Sequence, residues 1–158
     1  MKYGISLLSI VPIRKDFSDK SEMINQILFG EHFKVLELRK GWCKIRLAHD
    51  NYEGWICKKQ YFDISEDEFD QLEKDTPTVT VDILDIISKK AHQPIVIGSI
   101  LPRYKSGHAN INNKMYKFDG LTTQGFVKKE KISENSLIYL NAPSVSYTHL
   151  TLPTIMPV

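Results

Sequence analysis

The stretch from Ser21 to Trp55, SEMINQILFGEHFKVLELRKGWCKIRLAHDNYEGW, constrains the fold more than any other part of the chain. Its apolar residues fall in short runs, and each run ends where the backbone can turn. Gly30 closes one strand, Lys40-Gly41 makes a tight hairpin, and Asp50-Asn51 tolerates the left-handed backbone of a distal loop. Upstream, Ser6–Pro12 reads as a further strand, and the run continues through Gln26–Phe29, Phe33–Arg39, Trp42–Leu47 and Gly54–Cys57. Short strands at this spacing predict a barrel or sandwich rather than a helical domain. Between the first two strands, Lys15–Ser21 is a long excursion rich in charge and serine.

The character changes at Ser65. SEDEFDQLEKD places an N-cap serine three residues before Glu68, the spacing of a capping box, with Phe69 and Leu72 as a narrow apolar stripe. Pro77 stops the helix, so residues 65–76 read as a short helical linker. A second β-rich unit follows over residues 77–133. Val79 and Val81 alternate with Thr78 and Thr80, and Pro94–Leu101 has the apolar content of a buried strand. Asn112-Asn113 turns into Met115–Phe118, and Gly120 and Gly125 frame a last strand ending near Val127. Each unit holds about 55–65 residues, near the lower limit for an independent core, so packing one against the other would help both.

Composition excludes several classes of function. The 21 Lys and Arg are interspersed with 19 Asp and Glu for a net charge of +2, which is no footprint for nucleic acid. No run approaches the roughly 18 apolar residues that span a bilayer, so no membrane partner is expected. Lys2 precedes only a few apolar residues before Pro12 and Arg14, which is not a signal peptide. With Met1 as the true start, the expected location is the cytoplasm.

The two cysteines are too few for a disulfide framework. Strand alternation sends Cys43 to the core with Ile45 and Leu47, and Cys57 to the other side with Trp55, so both should be free thiols. Nucleophilic catalysis needs a thiolate beside an oriented base. Cys43 and Cys57 have lysine neighbours instead, and neither is a catalytic candidate. His32, His49, His92, His108 and His149 are isolated, no pair has metal-ligand spacing, and there is no Gly-rich phosphate loop. No metal and no cofactor are expected. Aromatic side chains beside a charged loop can hold an extended peptide, and Trp42, Tyr52, Trp55 and Glu22 are the candidates for such a surface. Packing between the two units is the competing use of the same aromatics.

GISLLSIVPIRKDFSDKSEMINQILFGE, GWCKIRL and YEGW occur in that order from Gly4 to about Ser65. In order and spacing they resemble the first bacterial SH3 domain of the NlpC-type cysteine peptidases that cut cell-wall peptides. ILPRYKSG (Ile100–Gly107) and MYKFDG (Met115–Gly120) more loosely resemble that family's next SH3-like domain. The resemblance implies an all-β fold of two tandem SH3-like β-barrels, residues 1–64 and 77–133, joined by the helical linker. IYLNAP (Ile138–Pro143) resembles the segment that leads into the family's catalytic domain, giving a lead-in at 134–143.

By that resemblance the enzymes hydrolyse the bond between D-glutamate and a diamino acid in murein peptides, and the first SH3 domain walls one end of the cleft. It selects peptides with a free N-terminal L-alanine through an acidic residue and a tyrosine, roles that fall by motif position on Glu22 and Tyr52. A carboxylate pairs with an α-ammonium and a phenol donates a hydrogen bond, so the chemistry is consistent. The family would continue with Tyr-x-Trp-Gly-Gly and then Asp-Cys-Ser-Gly carrying the nucleophile, with a histidine further on. Here the sequence departs at Ser144. Residues 135–158 contain no Asp, Glu, Lys or Arg, and Ser144–Val158 reads as a non-native tail. The expected partners are therefore murein-derived peptides and a missing catalytic domain in cis, and the chain as written should hydrolyse nothing. The competing expectation is a stand-alone module that binds cell-wall or partner peptides without enzymatic activity.

Overall fold

The alternating runs of the first third become a seven-stranded antiparallel sheet in the computed structural model, which describes residues 2–88 and 92–125. Its strands are β1 (Lys2–Ile5), β2 (Ile10–Arg14), β3 (Met23–Leu28), β4 (His32–Arg39), β5 (Trp42–Leu47), β6 (Glu53–Cys57) and β7 (Phe62–Ile64). They lie side by side in the order β3-β2-β6-β5-β4-β1-β7. Lys40 and Gly41 sit at φ 38° and 88°, the paired positive angles of the hairpin turn that matches strand twist. Inward side chains, among them Val11, Ile13, Ile27, Phe33, Ile45 and Ile56, form one buried cluster with Cys43. Burying a side chain of this size contributes about 1.5–3 kcal/mol. A one-residue slip would turn the whole set outward, which is why the register is firm.

Ser6–Pro12 is not one strand. Ser6 N donates to Glu31 O (2.9 Å) and Ser6 O accepts from Gly30 N (2.8 Å), which ties the chain to the β3–β4 turn and ends β1 there. After a bend the chain restarts as β2. Strand β7 carries no apolar run long enough to announce it; it forms by pairing with β1.

After β7 the chain folds as α1 (Glu66–Lys74), with the Ser65 hydroxyl accepting from Glu68 N at 3.1 Å. Glu66, Asp67 and Glu68 crowd its first turn, where the positive end of the helix favours carboxylates. Phe69 and Leu72 are buried as the apolar stripe requires. Phe69 packs on Tyr3 with ring centroids 4.5 Å apart and meets His32 edge-on at 5.1 Å.

Downstream, β8 (Thr78–Thr80), β9 (Leu84–Ser88), β10 (His92–Val96), β11 (His108–Ile111), β12 (Lys114–Phe118) and β13 (Thr122–Gln124) form a four-stranded sheet, β10-β9-β12-β11, and a separate pair, β13-β8. Asn112 and Asn113 make the expected hairpin turn at φ 48° and 57°. Pro94–Leu101 is not a continuous strand. A turn with Ser99 N donating to Val96 O (3.1 Å) and Gly98 at φ 84° breaks it, leaving Ile95 and Leu101 buried and Ile97 exposed. Thr78 and Thr80 point inward while Val81 is exposed. The threonines are tolerated inside because the Thr80 hydroxyl donates to Val96 O (2.9 Å) and Thr78 Oγ1 accepts from Gln124 Nε2 (3.3 Å).

Residues 1–125 form one compact unit. A second apolar cluster joins Tyr3 and Ile5 of β1 and Phe29 of the β3–β4 turn to Phe69 of α1 and to Ile87 and Phe118 beyond it. The backbones meet at Gly30, where Ile100 N donates to Phe29 O (2.8 Å) and a Cβ would sit 2.7 Å from the Ile100 carbonyl carbon. An ion pair between Arg103 and Glu68 ties the later residues to α1. Among the described residues no helix is long and apolar enough to cross a membrane. Val127, the lead-in at 134–143 and the tail at 144–158 lie outside the described residues.

Candidate functional site

Strand pairing builds a broad outer face on the first sheet. Glu37 lies opposite Lys44, Lys44 opposite Trp55, Trp55 opposite Arg14 and Arg14 opposite Met23, a row that crosses β4, β5, β6, β2 and β3. In the next row Arg39, Trp42 and Cys57 lie side by side, and on the other flank Arg46 lies opposite Glu53. Trp42 and Trp55 thus share one face, as the alternation of GWCKIRL allows.

Trp55 is only 7% exposed despite facing outward. The strap between β2 and β3 folds over it. Phe17 meets its indole edge-on at 5.2 Å, and the Arg39 guanidinium stacks 5.4 Å from the Phe17 ring and 5.9 Å from Trp55. The strap is held by Lys15 N to Glu22 O (3.0 Å), Arg14 Nη1 to Ser21 O (2.7 Å) and Asp16 N to Ser21 Oγ (2.9 Å). Of the three aromatic side chains that the sequence offers for a surface, Trp55 is therefore already packed.

Glu22 stands at the base of this strap, its carboxylate 3.9 Å from Lys15 Nζ. Tyr52 projects from the β5–β6 turn, where Asp50 Oδ1 accepts from Tyr52 N (2.8 Å), and its hydroxyl reaches Ile24 O at 3.4 Å. Tyr52 consequently contacts the strand two residues past Glu22. Trp42 starts β5 at the opposite end from that turn. Five residue steps of strand separate Trp42 from Leu47, about 17 Å. The four candidates therefore divide into Glu22 with Tyr52 at one end and Trp42 with the covered Trp55 over the sheet.

Charge on the face is organised around Glu53. Lys44 Nζ lies 2.9 Å from one carboxylate oxygen, and Arg46 donates to the other through Nε (2.8 Å) and Nη2 (2.6 Å). These hydrogen bonds, from Lys44 first and Arg46 next, hold the Glu53 carboxyl below the usual range. Phe17, Arg39 and Glu53 are additions to the four sequence candidates. Glu53 can be found from cross-strand pairing once the register is known, whereas nothing in the sequence signals that Phe17 covers Trp55.

Cys43 and Cys57 are both free thiols on opposite faces. Burial pushes the Cys43 thiol up to about 12, and its Sγ lies 3.6 Å from Ile56 O, so it is an inert core group. His32 bonds Glu73 (3.2 Å) and His49 lies near Glu31 and Asp50, but no group of three or more potential metal ligands forms among the described residues.

Residues 13–60 match the family model of the bacterial dipeptidyl-peptidase SH3 domain. An NlpC/P60 family protein from Bacillus cereus shares the fold at a TM-score of 0.64 and 13% identity, over 90% of this chain and 65% of that one. An NlpC/P60 endopeptidase from Photobacterium damselae subsp. piscicida does so at 0.53 and 12%, over 80% and 32%. At such identities the likeness is one of fold, and the chain spans less than two thirds of either structure's length. A search of curated proteins found no match. The region that carries Glu22, Tyr52, Trp42 and Trp55 is thus similar to the SH3 domain of bacterial dipeptidyl peptidases.

Proposed function

We propose that this chain is the substrate-binding SH3 part of a murein-peptide cysteine peptidase, working with an NlpC-type catalytic domain in cis. The match of residues 13–60 to the dipeptidyl-peptidase SH3 domain carries the reading, and Glu22 and Tyr52 fall within it. In this reading residues 1–64 and 77–133 are tandem SH3-like barrels joined by the helical linker. Glu22 pairs with the free α-ammonium of an N-terminal L-alanine, and the Tyr52 hydroxyl hydrogen-bonds the same end of the peptide. Hydrolysis of the γ-D-glutamyl–diamino acid bond belongs to the catalytic domain. Cys43, buried and protonated, takes no part.

The test is titration of the 158-residue chain with L-alanyl-γ-D-glutamyl-diaminopimelate and with its N-acetyl form, followed by NMR. The free-amine peptide should shift the Tyr52 and Glu22 signals, and acetylation should abolish the response. Glu22→Gln should weaken binding without unfolding the chain, because the exposed Lys15–Glu22 pair is worth at most about 1 kcal/mol. Equal binding of both peptides would remove Glu22 from the role. Binding that shifts only Trp42 and Trp55 would instead favour a stand-alone peptide-binding module, a reading supported by the exposure of Phe17, Met23 and Tyr52.

A further inference from the structure

The outer face of the first sheet carries more than solvent-exposed side chains. We propose that it is a docking surface for an extended acidic peptide, bound across the strands from Lys44, over Phe17 where it covers Trp55, toward Met23, and separate from the Glu22–Tyr52 end. This reading is independent of the proposed peptidase role.

Three observations carry it. The first is charge. Along the strands of this face Arg14, Arg39, Lys44 and Arg46 stand beside Glu37, which is paired with Arg39, and Glu53, so cations outnumber carboxylates there, while the strap adds Glu22 against Lys15. The second is the way Glu53 is held. One carboxylate is clasped from both sides by Lys44 and Arg46, which demonstrates that this pair forms a carboxylate clamp. Glu53 engages two of the five guanidinium N–H groups and one of the three ammonium donors, so the same cations have further donors for a carboxylate arriving from outside. Arg39 is arranged similarly. Its guanidinium lies over the Phe17 and Trp55 rings and donates through Nε to Glu37 Oε1, which leaves the terminal N–H groups for a further carboxylate.

The third observation is the apolar end of the same row. Met23 and Phe17 are 48% and 40% exposed and lie beside Arg14 and Trp55. Simple polyanions have no use for such a shelf, whereas a peptide with alternating acidic and apolar side chains does. The dimensions suit a peptide too. Five adjacent strands span about 19 Å, which an extended chain rising about 3.3 Å per residue crosses in about six residues.

The experiment uses the full chain and three fluorescein-labelled probes: the hexapeptide Glu-Leu-Glu-Leu-Glu-Leu, its Lys-for-Glu counterpart, and a polyphosphate of similar charge. Anisotropy gives affinity, and the indole N–H signals of Trp42 and Trp55 give the place. The acidic peptide should bind, shift both indoles and weaken at least about tenfold between roughly 50 and 300 mM salt, as screening shortens the reach of surface charge, while the lysine peptide should not bind. Lys44→Gln/Arg46→Gln should lower affinity at least about tenfold, with Trp55 emission unchanged as the sign of an intact fold. Glu53→Gln, which removes the internal competitor, should raise affinity severalfold. Unchanged affinity in the double variant, or shifts confined to Tyr52 and Glu22, would overturn the proposal. Polyphosphate binding as tightly at the same indoles would overturn it in favour of a phosphate polymer. Loss of the Glu22–Tyr52 response to murein peptide would leave these readouts untouched, so the two readings fail separately.

Discussion

Replacing Gly30 by alanine tests whether the two β-rich parts depend on the close approach at the β3–β4 turn. Two costs combine there. Gly30 has φ 81°, and an L-residue in that region costs about 1–2 kcal/mol. The new methyl would also press on the backbone of Ile100, which is not a flexible side-chain end and has to move. Moving it breaks the bond from Ile100 N to Phe29 O and costs about 1–3 kcal/mol more if that N–H finds no other partner. Gly41→Ala is the built-in control, since Gly41 sits at φ 88° and a methyl there would meet nothing within 4 Å. It carries the strain without the collision. The expectation is a loss of about 3 kcal/mol for Gly30→Ala against about 1–2 for Gly41→Ala. In a chain of this length each kcal/mol lowers Tm by about 2–4 °C. The assay is thermal unfolding followed by both far-UV circular dichroism and Trp fluorescence, since both tryptophans lie in the first sheet. Gly30→Ala should show the larger shift and separate the two transitions. Equal shifts in the two variants, with coincident transitions, would refute the coupling.

Thiol chemistry offers a simpler check. In native protein at about pH 8 an aromatic disulfide reagent should label Cys57 and spare Cys43, whose thiol burial pushes to about 12; denaturant should expose both. Rapid labelling of both in the native state would contradict the core position of Cys43. Ser65→Ala removes the helix cap and should cost about 1 kcal/mol in urea unfolding, with an unaltered value excluding the cap as a stabilising contact. Burial, outweighing the Glu73 hydrogen bond, sets the His32 imidazole below its ordinary 6.5. The folded state therefore prefers the neutral ring, and this stability is complete above about pH 6.5 and lost as pH falls through the folded value. The difference in urea midpoint between about pH 7.5 and about pH 5.5 should shrink in His32→Gln; an identical difference would remove His32 from the acid response.

The elements that can be read from the chain are those whose signal is local. Trp42–Leu47 alternates cleanly, Lys40-Gly41 and Asn112-Asn113 dictate their turns, and Ser65 with Glu68 marks a helix start. Ser6–Pro12 and Pro94–Leu101 mislead because an apolar run says nothing about where a distant partner bends it. Ser6 turns to serve the Gly30–Glu31 backbone, and the second run turns at Gly98. Thr78 and Thr80 face inward against their polarity because Val96 and Gln124 supply hydrogen bonds unseen in sequence. The same division holds at the candidate site. Trp42 and Trp55 share a face by strand parity alone, but the cover over Trp55 depends on how the strap from Lys15 to Glu22 folds back.

The cluster that binds Phe29 and Tyr3 to Ile87 and Phe118 also limits how such a chain can be shuffled by recombination. Modules with sealed interiors can be exchanged at any linker. Here a crossover within α1 would hand each daughter half of a shared interior, with Phe69 and Leu72 facing strangers. Residues on either side of the helix should therefore be inherited as one cassette, and drift at Ile100 should be matched by restraint at Gly30.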